Sequence, residues 1–139
     1  LDSGDLVENL RLAIEARERY PWARDLSDEL FLNDVLPPGI LDEKRECWRP
    51  MITKIVAPIV EGCETAEEAA QAINAKFFDE IGVHYNTGRK RPNACASESM
   101  EQGRATCTGL TILYVEACRS IAIPARWRVR ARWRRRSRG

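Results

Sequence analysis

Several things are scarce in these 139 residues. There is a single histidine, His84, and no pair of cysteines at C-x-x-C spacing. The paired soft ligands of a structural zinc site are therefore missing, and neither a metal nor a cofactor is expected. Five cysteines, Cys47, Cys63, Cys95, Cys107 and Cys118, are too few and too scattered for a disulfide framework. Their odd number leaves at least one thiol without an internal partner, and the pattern leaves the compartment open. No apolar run approaches the roughly 18–20 residues of a membrane-spanning helix. The best stretches, residues 52–60 and 110–117, are interrupted by Lys54, Pro58, Thr111 and Glu116. No basic, apolar, small-residue leader opens the chain, and its first residue is Leu1 rather than Met. The start reads as a processing site or a fragment end. What is present, 44% hydrophobic and 31% charged residues, excludes collagen-like, low-complexity and wholly disordered chains and suits one compact domain.

The formal net charge of +1 conceals two opposite parts. Residues 126–139 hold eight arginines and no acid, eight of the 22 basic residues. Residues 1–125 are left with 14 bases against 21 acids, a net charge of −7. An acidic body ends in a strongly basic segment, and each part is read separately.

Apolar periodicity predicts helices over most of the chain. Between residues 5 and 19, Leu6, Leu10, Ala13, Ile14 and Arg17 recur at three- and four-residue steps, which predicts an inward stripe, with Asp5 as cap and Pro21 as stop. A short helix is expected from residue 27 to 35, closed by Pro37, Pro38 and Gly39. A longer one is expected from 42 to 60, kinked or divided by Pro50 and Pro58. Thr65 and Glu68 form a capping-box pair ahead of an apolar face of Ala66, Ala69, Ala70, Ile73, Phe77 and Ile81, and Gly82 suits the left-handed position that closes the helix. Val83, His84 and Tyr85 read as extended, and residues 86–97 as loop. A last helix starts near Cys107, with Leu110, Leu113, Tyr114, Ala117 and Ile121 turned inward. Pro124 forces an extended exit after Ile123. Trp22 and Trp48 read as anchors between helices, and Cys118 as core.

One segment carries chemistry: Gly103-Arg104-Ala105-Thr106-Cys107-Thr108-Gly109-Leu110. Small residues surround a cysteine where a helix begins. Helix N-termini offer backbone amides without intrahelical partners and about half a positive charge, which favours the thiolate and can receive the oxyanion of a tetrahedral acyl intermediate. Cys107 is thus the candidate nucleophile. The plainer reading makes it a small apolar filler at a helix end. Glu98, Glu101 and Gln102 precede the segment as possible cleft-lining groups.

This segment, followed by Leu113, by Ala117-Cys118-Arg119 and by Ile121-Ala122-Ile123-Pro124-Ala125-Arg126, resembles the core of the transglutaminase-like superfamily. There a G-x-x-x-C-x-G segment leads into a helix that ends in a G-I-P-A-R turn. The likeness covers about twenty-five residues, and the preceding helical part resembles that of bacterial members. The resemblance implies a papain-like α+β fold with a Cys–His–Asp triad that attacks a glutamine amide or peptide carbonyl to give a thioester. This chain would be the mainly helical front part of that core, with little or no sheet. Cys107 matches the nucleophile. The implied partner is a peptide or protein amide.

Three departures follow. No histidine or aspartate lies after Arg126, so the base and its orienter have no counterpart. His84 precedes the cysteine and is expected beside Tyr85 or facing solvent. Ala122 stands where the family has glycine, predicting local strain. Residues 127–139 turn abruptly arginine-rich, which suggests an altered or truncated reading frame and an incomplete or inactive enzyme. The organisation expected is a helical region over 1–98, a nucleophile helix and turn over 99–126, and a basic segment over 127–139. Two alternatives compete with the enzyme. One is a non-catalytic helical module whose arginines and Trp127 and Trp133 contact nucleic acid or anionic lipid. The other is a purely helical interaction module with no chemistry. Self-association is a further expectation, through an apolar face left uncovered where the sheet would pack.

Overall fold

The computed structural model describes residues 2–40, 43, 45–85, 96–105 and 107–126. The described residues form six α-helices, α1 Ser3–Arg19, α2 Asp28–Asp34, α3 Arg49–Ile59, α4 Ala66–Ile81, α5 Ala96–Gln102 and α6 Cys107–Ser120, with a 3-10 turn at Pro21–Ala23. Two strands, β1 His84–Tyr85 and β2 Arg104–Ala105, pair in parallel. Their register sets His84 opposite Arg104 and Tyr85 opposite Ala105. The chain is mainly helical with little sheet, as the resemblance implied.

Local chemistry accounts for most helix ends. The α1 cap is Asp2, not Asp5: Asp2 accepts from the Asp5 amide at 2.8 Å, and Asp5 returns the contact to the Asp2 amide. The helix gains a turn because Asp5 fills the reciprocal place of a capping box. Ser27, the expected start of the short helix, is the cap of α2 and accepts from the Leu30 amide. The longer helix expected from residue 42 starts only at Arg49, with Pro50 in its first turn, where a missing N–H costs nothing. Thr65 caps α4 through the Glu68 amide, while the Thr65 hydroxyl donates to the Glu68 carboxylate. Gly82 closes α4 at φ +66°. Of the loop expected over 86–97, Ala96 and Ser97 belong to α5 and the rest lies outside the described residues.

One core runs from Ala13 to Ala122 and includes Trp48, Ile52, Val56, Ile73, Phe77, Leu113 and Ile121. Three helices, α3, α4 and α6, pack on one another at its centre. Of the stripe expected to face inward on α1, Ala13 is buried and Arg17 half-buried, but its large apolar members face outward. Leu6, Leu10 and Ile14 are exposed, and Asn9, Ala13 and Ala16 are buried. Small side chains let α1 approach α3 and α6, and Asn9 is needed inside for a hydrogen bond described below. Both tryptophans act as anchors: the Trp22 indole donates to the Ile121 carbonyl at 2.8 Å, and the Trp48 indole to the Pro38 carbonyl at 2.7 Å.

Candidate active site

The site is built from two turns and a helix end. Gly103, at φ +70°, follows α5 and returns its amide to the Ser99 carbonyl at 2.9 Å. A Cβ there would stand 3.2 Å from the Gly82 carbonyl oxygen, so glycine is required by both backbone angle and space. The chain then forms β2 beside β1. Thr106 lies outside the described residues, and Cys107 is the first residue of α6. Its carbonyl accepts a hydrogen bond from the Thr111 hydroxyl at 2.8 Å.

Burial along α6 is graded. Cys107 is exposed, whereas residues 115–122 are all buried. The far end is held by three separate partners. The Tyr114 hydroxyl donates to the Ala70 carbonyl at 2.9 Å, Trp22 holds the Ile121 carbonyl, and Arg49 donates to the Arg119 carbonyl at 2.8 Å. The helix is thereby a rigid post with its sulfur-bearing end at the surface. Positive charge from the helix dipole lies at that end.

Among the described cysteines Cys107 is the exposed one, Cys47 and Cys63 are half-buried, and Cys118 is buried. Burial pushes the Cys118 thiol up to about 12. Burial also raises Cys47, helped by the nearby carboxylates of Asp5 and Glu8.

The other expected site residues fall as follows. His84 lies on β1, in register with Arg104, three residues before Cys107. Glu101 is exposed and Gln102 half-buried at the C-terminal end of α5. The one carboxylate on α6, Glu116, is nine residues from Cys107, roughly 14 Å along the helix axis, too far to orient a base at the sulfur. Residues 127–139, the basic segment, lie outside the described residues.

A polar network in the core was not foreseen. Arg49 is buried and donates to Asn9 Oδ1 at 2.8 Å and to the carbonyls of Arg119, Val35 and Leu36 at 2.8, 2.7 and 3.2 Å. Arg119 is buried beside it and donates to the carbonyls of Ala125, Pro37 and Gly39 at 2.9, 2.7 and 3.0 Å. Between them the two guanidinium groups satisfy six backbone carbonyls, which fixes the 35–39 turn and the exit from α6. Burial, and then the Arg119 charge, lower Arg49 to about 10, so it stays charged at neutral pH. Glu116 sits in the same region with Oε2 unpartnered among the described residues. The available signal was the spacing: Glu116 and Arg119 continue the inward row of Ile112 along α6, which carries both side chains into the interior.

At the exit Ala122 adopts φ +60°. Its amide donates to the Arg119 carbonyl at 3.1 Å, and the Ile123 amide to the Cys118 carbonyl at 2.9 Å, the paired bonds of a Schellman closure. This is the left-handed turn that the resemblance placed there, made with alanine.

Comparison of the chain with curated proteins and with solved structures gives no match in either case. A family model does match, that of the transglutaminase-like superfamily, over residues 53–137. The matched span runs from α3 through the α6 segment and past Arg126 across most of the arginine-rich stretch. It covers more than half of the chain and contains the Cys107 helix and the Ala122 turn. The chain belongs to the transglutaminase-like superfamily.

Proposed function

We propose that Cys107 is the nucleophile of a thiol-dependent acyl transfer or amide hydrolysis, acting on a peptide or protein amide. The sulfur attacks the amide carbonyl, the C–N bond breaks, and the amine leaves with a proton. The resulting thioester is resolved by a second amine or by water. The observation that carries this reading is the position of Cys107, exposed at the first residue of a helix whose other end is anchored in the core. A helix N-terminus favours a thiolate and can stabilise an oxyanion beside it. A full triad also needs a base within hydrogen-bond reach and a group to orient it.

Alkylation with iodoacetamide at about pH 6–7, where thiolate content decides the rate, tests the reading. Peptide mapping is expected to find Cys107 modified first, with Cys47 and Cys118 trailing by at least ~10-fold. Preferred labelling of Cys47 or Cys63 would overturn it.

A further inference from the structure

A carboxylate outside the site is joined to Cys107 through a short helix. Glu46 is half-buried on the segment that leads into α3, and both of its oxygens are taken by one residue of α5. The Ser97 amide donates to one oxygen at 2.9 Å, and the Ser97 hydroxyl donates to the other at 2.6 Å. The two residues are 51 positions apart in the chain. Ser97 lies in the first turn of α5, where helix amides lack partners within the helix and negative charge is favoured. An ionised acceptor makes such bonds about twice as strong as neutral ones.

A helix of seven residues is not held by propensity and depends on its partners. For α5 these are the buried Ala96 and Ser99 and the Glu46 carboxylate. Residues 103–106 alone separate α5 from Cys107. The Gly103 turn is tied back to α5 at the Ser99 carbonyl, and α5 packs on both β2 and α6. Glu46 also lies near α6, since its charge helps to raise the buried Glu116 carboxyl there. One carboxylate therefore stands beside both helices whose ends flank the sulfur.

We infer that Glu46 is a positioning residue for Cys107: its carboxylate caps α5 through Ser97 and so fixes the turn from which the first residue of α6 presents its sulfur. The inference rests on the reading of Cys107 as nucleophile. Position matters there, because a displacement of about 1 Å can cost on the order of 100-fold in rate. Cys107 is already exposed, so loosening α5 disturbs the amides around the sulfur rather than opening access to it. Alkylation then slows rather than quickens. A half-exposed contact of this kind adds little to overall stability, which separates positioning from folding.

The full chain is compared with its Glu46→Ala, Glu46→Gln and Ser97→Ala variants. In Glu46→Ala, iodoacetamide labelling of Cys107 at about pH 6–7 is expected to slow ~3- to 10-fold, and its pH–rate curve to move to higher pH, while Cys63 labels at the parent rate. Amide exchange over residues 97–105 should quicken, with α3 and α4 unchanged. Glutamine keeps an acceptor for the Ser97 amide and should recover most of the parent rate. Ser97→Ala removes the hydroxyl arm alone and should slow Cys107 less; it decides the matter if Glu46→Ala does not fold. An unchanged Cys107 rate in the folded variants, equal slowing at Cys63, or a glutamine variant no faster than alanine would each overturn the inference and leave the nucleophile reading standing. A parent chain that labels first at another cysteine removes both.

Discussion

Ala122 shows how small the margins are at a single position. An L-residue in the left-handed region costs roughly 1–2 kcal/mol. Its methyl group is also buried, which returns about 0.8 kcal/mol, and glycine would add unfolded-state entropy of ~0.5–1 kcal/mol. The terms nearly cancel. Urea denaturation of Ala122→Gly is therefore expected within ~1 kcal/mol of the parent, with the cancellation of strain against burial as the reason. Ala122→Val adds branching at a left-handed, buried site and should cost ~2 kcal/mol or more. A glycine variant stabilised by several kcal/mol would mean that the strain is larger than this geometry implies.

Among elements, Arg49 joins more of the molecule than its sequence position suggests. It opens α3 and touches α1 through Asn9, the 35–36 turn, and the end of α6. Arg49→Ala leaves buried carbonyls unpaired and should cost on the order of 3–5 kcal/mol in denaturant unfolding. Arg49→Lys keeps the charge but not the fork, so it should recover less than half of that loss. Full rescue by lysine would show that charge, not geometry, is what the core requires. The same network explains why α1 turned its leucines outward. Its inner row had to offer an amide to Arg49 and small side chains for close packing, and periodicity alone cannot tell a leucine stripe from an alanine one.

For the whole molecule, Glu116 links stability to pH. Burial, and then the neighbouring Glu43 and Glu46 carboxylates, raise it well above its ordinary 4.5, against a smaller opposing effect of Arg119 and Arg49. The folded protein thus retains a proton that the unfolded chain releases. The contribution is complete below about pH 4.5 and is lost as pH rises through the raised value. Glu116→Gln mimics the protonated form. Its denaturation midpoint should converge with the parent's near pH 4.5 and gain on it as pH rises above that toward the raised value. A pH-independent difference between the two would place Glu116 outside this linkage.

Much of this protein was legible residue by residue. The caps at Ser27 and Thr65, the left-handed closures at Gly82 and Ala122, the start of α6 at Cys107 and the extended His84–Tyr85 pair all follow from interactions within a few residues of chain. So does the Cys107 segment, because its pattern is contiguous. Tertiary structure decided the rest: which face of α1 is inside, where α3 begins, that β1 runs beside β2, and that Arg49, Arg119 and Glu116 share one interior. Those outcomes depend on partners distant in the chain: 20 residues in the β1–β2 register, 40 and 70 residues in the Arg49 bonds to Asn9 and Arg119. Local propensity carries no information about them, since a buried charge is tolerated only where distant carbonyls converge to meet it.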